Sequence, residues 1–156
     1  MNKIVGNFDN TKIKISIKPG TSNNTIVFEA PPRSKNLKIL IGDIASIEEL
    51  LDKKIDTIYL NFSDPWPKDR HAKRRLTSIN YLQVYDKLFK GKPHIIQKTD
   101  NDLLFQFSLD EYQKYGYHIN RISYDLHNED IPNVMTEYEE KFSNMGIKIK
   151  YVDVSK

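Results

Sequence analysis

The chain has 156 residues, 38% of them hydrophobic, and its 7 Phe and 9 Tyr are enough for one modest core, so a single domain is expected. It has no cysteine, which excludes a disulfide framework and a thiolate metal site and favours a reducing, cytoplasmic setting; its four histidines show no metal-ligand spacing, so no metal is expected. A net charge of +3, from 24 bases against 21 acids, is too mild to argue for nucleic acid, and local clustering must carry that argument.

Residues 1–19 alternate lysine with isoleucine and contain no long apolar stretch, which fits neither a signal peptide nor a membrane span. Lys12, Ile13, Lys14, Ile15, Ser16, Ile17 and Lys18 alternate strictly, Pro19-Gly20 and Asn23-Asn24 supply a turn, and residues 25–29 are apolar again. A two-stranded hairpin is the simplest reading, closed by Pro31-Pro32. Residues 1–35 are therefore expected to form a divergent N-terminal hairpin segment, with residues 36–156 as the main unit. There the patterns alternate: strand 37–42, helix 46–54, strand 57–62, helix 76–90, strand 93–99, helix 101–115, strand 116–126, helix 136–144 and strand 147–154. The helix at 76–90 rests on Ile79, Leu82, Tyr85, Leu88 and Phe89, close to a 3.6-residue period, and Gly91 stops it. Such an order predicts an α/β fold with a mostly parallel sheet covered by helices.

The most informative stretch is Asn61-Phe62-Ser63-Asp64-Pro65-Trp66-Pro67 followed by Lys68, Arg70, Lys73, Arg74 and Arg75. Asp before Pro is a common helix start, with the acid as N-cap. Pro67, however, pushes Trp66 away from helical dihedrals, so an extended, rigid loop is expected instead. An acid on a loop at the carboxyl end of a parallel strand lies where open α/β sheets bind ligands. The basic run could be a solvated helix face, but only Asp69 offsets its five cations, and an anionic polymer would relieve their repulsion. The pattern suggests one negative site, a buried acid facing a group that is or becomes cationic, inside a positive surface. Further on, Thr136-Glu137-Tyr138-Glu139 matches a capping box, and Lys98-Thr99-Asp100-Asn101 ends a strand and can cap the next helix.

These motifs, with Asp125-Leu126-His127 and Asn133-Val134-Met135 between them, resemble in order the motifs of the bacterial tRNA (guanine-N7)-methyltransferase family over roughly residues 36–152. The resemblance implies a Rossmann-like methyltransferase fold, S-adenosylmethionine as methyl donor, and a guanine in the tRNA variable loop as acceptor. Position by position, Asp43 resembles the residue beside the cofactor's adenine. Asp64 resembles the catalytic, cofactor-facing acid. Lys68, Asp100, Thr136, Glu137, Tyr138 and Glu139 resemble the substrate-contacting set, and Arg70, His71, Lys73, Arg74 and Arg75 the RNA-contacting stretch. A monomer or weak homodimer without membrane attachment is expected.

One part of the family pattern is absent. The resemblance leads one to expect a glycine-rich turn after a first strand, but Gly6, Gly20, Gly42, Gly91, Gly116 and Gly146 are too far apart for one. The cofactor-binding half thus looks incomplete, and the Lys-rich strand at 12–18 is expected to cover the sheet edge this leaves. Three readings follow: a short active methyltransferase, a truncated copy, or a tRNA-binding module without catalysis.

Overall fold

A computed structural model describes residues 55–156 in full, together with the backbone of five strands at 3–8, 13–18, 25–26, 37–40 and 42–43. The strands are β1 (Lys3–Phe8), β2 (Ile13–Lys18), β3 (Thr25–Ile26), β4 (Leu37–Leu40), β5 (Gly42–Asp43), β6 (Thr57–Asn61), β7 (His94–Thr99), β8 (His118–Ser123) and β9 (Lys150–Ser155). The helices among the fully described residues are α1 (Ile79–Leu88), α2 (Asp102–Lys114) and α3 (Glu137–Asn144). None of them is long and apolar enough to cross a membrane.

Seven strands form one sheet in the order β4-β1-β2-β6-β7-β9-β8, and β3 pairs with β5 in a second, two-stranded sheet. The α/β class is as the sequence predicts, but the sheet is mixed. Only β2-β6 and β6-β7 are parallel neighbours; the other four pairings are antiparallel because β1 and β9 run against the remaining five strands. Alternating apolar residues reveal a strand but not its direction, which is why the order of elements alone overstated the parallel character.

The N-terminal hairpin exists with a different partner. β2 pairs antiparallel with β1, whereas Thr25 and Ile26 pair with Asp43 and Gly42. On its other side β2 runs parallel to β6, with Ile15 opposite Ile58 and Ile17 opposite Leu60, so the Lys-rich strand does cover that edge. The expected helix at 46–54 and the boundary near 31–35 lie outside the described residues.

Apolar side chains alternate across the pleat and build a core on each face. Ile58, Leu60, Ile95, Val152 and Val154 pack with Leu82, Tyr85 and Leu88 of α1 and Phe105, Leu109 and Tyr112 of α2. On the opposite face Ile149, Tyr151, Leu126 and Ile131 gather with Phe62, and Phe142 of α3 packs there. The main tyrosines of the first core are buried with their hydroxyls engaged: Tyr85 donates to the Leu76 carbonyl (3.0 Å) and Tyr112 to Gln97 Oε1 (3.1 Å). Burial pushes both phenols up, Tyr85 with added repulsion from neighbouring tyrosines, so both stay neutral donors.

Chain direction places the site. From β2 the chain leaves toward β4 at one edge, and from β6 it proceeds through β7 toward the other, so the connections diverge between two parallel neighbours. The carboxyl ends of strands at such a point form the crevice where α/β sheets take ligands. Asn61 ends β6 there, and Asp64 follows three residues later.

A candidate catalytic loop and its basic flank

Phe62 leaves β6 with φ of +53°, in the left-handed region that a bulky aromatic rarely adopts. Its N–H donates to the Lys98 carbonyl at 2.8 Å, and the turn carries its ring to the second core, 4.8 Å from the ring of Tyr138. No helix starts at Pro65, so Asp64 is not an N-cap; residues 63–67 form an irregular loop. Trp66 avoids the helical region, as Pro67 requires, but takes φ of +42° instead of an extended backbone. Two left-handed aromatics within five residues mark a loop shaped by its surroundings and not by local preference.

Asp64 is exposed, which corrects the expectation of a buried acid. Its neighbourhood is nonetheless specific. The Tyr138 phenol is pushed up by partial burial first, then by the carboxylate charges of Asp100 and Asp64. Asp100 is half-buried beyond the end of β7, and Asn101 caps α2 by accepting from Leu104 N–H at 2.8 Å. The Phe62 ring thus brings the segment carrying Tyr138 against the loop that leads to Asp64. Asp43 pairs with Thr25 through β5, and its side chain lies outside the described residues.

Thr136 and Glu139 form the capping box that the sequence predicts: Glu139 N–H donates to Thr136 Oγ1 (3.1 Å) and Thr136 N–H to Glu139 Oε2 (3.4 Å). Glu137 is exposed and remains available to a ligand. Glu139 does not. It is fully buried and accepts from Lys98 Nζ, from His127 Nε2 at 2.7 Å and from Asn133 Nδ2 at 2.6 Å. Burial alone would push this carboxyl up, but the hydrogen bonds from Lys98 and His127 and the Lys98 charge outweigh it and hold Glu139 below the usual carboxylate range. Because the ionised carboxylate only accepts, His127 must carry its proton on Nε2, and in the neutral ring Nδ1 accepts from Ser143 Oγ at 2.8 Å. Glu139 therefore anchors the Thr136 segment, its carboxylate occupied within the protein.

Lys98 is the residue that sequence reasoning quoted without giving it a role. Its main chain receives Phe62, while its side chain also donates to Asn133 Oδ1 (2.9 Å) and the Val134 carbonyl (3.0 Å). One residue of β7 thus ties the Asp64 loop to the Thr136 segment. A lysine in a strand expected to lie within the sheet, close after Ile95 and Ile96, was the available signal, since a buried cation has to be paired.

The basic run folds as a 3₁₀ helix, Asp69–Arg74, with no buried residue, and a regular helix begins only at Ile79. Lys68, Arg70, Lys73 and Arg74 are exposed. The Arg74 guanidinium lies 5.0 Å from the centre of the Trp66 ring, and His71 meets that ring edge-on at 5.7 Å. His71 is lowered from its ordinary value, first by desolvation and then by the charges of Arg74, Arg70 and Lys68, so it is neutral at pH 7. Arg75 departs from the rest. Only 3% exposed, it donates from Nε to the Pro65 carbonyl (2.9 Å) and from an Nη to the Trp66 carbonyl (3.0 Å), with its guanidinium 4.4 Å from the centre of the Phe107 ring. Its guanidinium is thus buried and engaged within the protein, unlike the exposed cations of the run.

Among the described residues no group of three or more acidic or histidine side chains could hold a metal. Ser63 Oγ is buried with no hydrogen-bond partner among them, an orphan directly beside Asp64.

The loop with its two left-handed aromatics thus sets an exposed acid at a sheet crevice beside a cationic flank. The family model described as "Putative methyltransferase" matches residues 10–152. A protein of Streptococcus mutans named tRNA (guanine-N(7)-)-methyltransferase is 41% identical over 149 residues, 94% of this chain and 69% of its own length. Proteins of the same name from Macrococcus caseolyticus and Staphylococcus epidermidis are 46% and 48% identical over 76% and 74% of this chain. The chain belongs to the tRNA (guanine-N(7)-)-methyltransferase family. It spans 58% and 54% of the length of the latter two relatives. A solved structure described as an antibiotic-related methyltransferase aligns over 75% of the chain at 19% identity with a TM-score of 0.47, too slight a likeness to argue from.

Proposed function

We propose that this chain transfers a methyl group from S-adenosylmethionine to N7 of a guanine in the tRNA variable loop, with Asp64 as the acid at the reacting centre. The observation that carries the reading is the exposed Asp64 on a loop restrained through its main chain at the crevice end of β6 and β7, beside a flank of exposed cations. The described residues fit the donor as far as they reach: a sulfonium cation suits exposed carboxylates, and the orphaned Ser63 hydroxyl suits a ligand acceptor. Ser63, Asp64 and, by resemblance, Asp43 would hold it. Bound there, it supplies an electrophilic methyl group.

Guanine N7 offers an in-plane lone pair and no proton, so the protein needs to orient the base and not to deprotonate it. Positive charge develops on the purine, and Asp64 stabilises it from a fixed place. Asp100 and Glu137 accept from guanine N1–H and the exocyclic amino group, donors that adenine does not present in that pattern. Lys68, Arg70, Lys73 and Arg74 bind the phosphate backbone and contribute the salt dependence of binding, with His71 beside them.

The lack of a glycine-rich turn in the sequence favours one rival, a tRNA-binding module without catalysis. Titration calorimetry with S-adenosylmethionine, alongside methyl incorporation into unmodified tRNA, separates the two. Heat of binding together with incorporation supports the enzyme. Retained tRNA binding with neither signal would leave only the module.

A further inference from the structure

Arg75 is a buried cation whose partners among the described residues are two main-chain carbonyls and an aromatic face, with no carboxylate. Removing a guanidinium from water is costly unless its donors are used, and here the planar fork meets two successive carbonyls. Those carbonyls belong to Pro65 and to Trp66, whose φ of +42° is disfavoured for any side chain. The cation side of the same group packs on Phe107, which lies in α2, the helix that begins just after Asp100 and Asn101. One side chain therefore spans the loop that carries Asp64 and the helix that follows Asp100.

We propose that Arg75 is a positioning residue that holds the left-handed Trp66 turn and so fixes Asp64 relative to Asp100. The inference rests on the functional reading above for its catalytic consequence, but its geometric half does not. The basic run divides its labour accordingly: Arg70, Lys73 and Arg74 face outward to the polyanion, while Arg75 faces inward to the main chain of the loop that carries the acid. Trp66 joins the two parts, since Arg74 covers its ring while Arg75 holds its carbonyl.

Trp66 is the chain's one tryptophan, so its fluorescence reports this turn alone. Arg75→Lys keeps the charge and removes the fork. It is expected to increase acrylamide quenching of Trp66 in the ligand-free chain and to lower kcat by up to about 10²-fold, the usual effect of misplacing a reacting group by about 1 Å, with KM for tRNA unchanged. Phe107→Leu, which leaves both hydrogen bonds in place, is expected to shift the quenching in the same direction by less, and it decides the matter should Arg75→Lys not fold. Adding Arg75→Lys to Asp64→Asn is expected to cost little further rate, because both act through one carboxylate. Unchanged quenching in both single variants would overturn the proposal. So would a raised KM for tRNA at constant kcat, the behaviour of an RNA contact. If the parent chain transfers no methyl group at all, the functional reading fails, while the quenching still decides what holds the turn.

Discussion

Glu139 and Asp64 are acids of the same candidate site in opposite situations. Glu139 is fully buried, with both oxygens occupied by Lys98, His127, Asn133 and its own helix cap. Asp64 is exposed three residues beyond β6, on a loop held through its main chain, and its carboxylate has no hydrogen-bond or ion-pair partner among the described residues. A saturated carboxylate stabilises structure, and an uncommitted one on a restrained backbone is available for chemistry. The Thr136 corner is thus a foundation, and under the proposed function the Asp64 loop is the working part. Lys98 links them through main chain on one side and side chain on the other.

The sharpest way to break this contrast is to remove each acid in turn. Glu139→Ala leaves Lys98 buried without its anion and is expected to destabilise the fold by about 3–5 kcal/mol, measured by urea unfolding. Glu137→Ala, two residues earlier in the same helix but exposed, is expected to change stability by less than about 0.5 kcal/mol. Asp64→Asn is expected to lower methyl transfer by about 10²–10³-fold, a loss typical of removing one preorganised electrostatic group, with tRNA filter binding and the melting temperature unchanged. Equal loss of transfer and binding would erase the distinction between acid and cations.

The basic flank gives the next contrast. Replacing Arg70, Lys73 and Arg74 by alanine is expected to weaken tRNA binding and to flatten its log–log salt dependence by about one unit per lost phosphate contact, without altering stability. An unchanged slope would show that these cations do not reach phosphate.

Acid titration sharpens the same contrast. Glu139 is held below its ordinary value of 4.5, so the unfolded chain binds its proton first as the pH falls. Its stabilisation is complete above pH 4.5 and is lost as pH falls toward the lowered native value. Melting temperatures should therefore drop below that pH in the parent, and less steeply in Glu139→Gln. The smallest effect belongs to Ser63→Ala. Removing a buried hydroxyl with no partner among the described residues is expected to leave the ligand-free chain equally stable or up to about 1 kcal/mol more stable, while weakening binding of the methyl donor.

The sequence alone determined the alternation of strands and helices beyond residue 55, the capping box at Thr136, the cap at Asn101 and the separation of an acid from a basic run. Each is written in a few neighbouring residues: apolar periodicity, a cap and its partner three positions on, prolines flanking Trp66. Only the tertiary structure decided strand direction, since pleat alternation is the same whichever way a strand runs. It also decided which charges are spent. Arg75 and Glu139 look like their neighbours in sequence, yet each meets partners from distant segments, Phe107 for one and Lys98 and His127 for the other. Burial depends on what packs over a side chain, and that information lies tens of residues away.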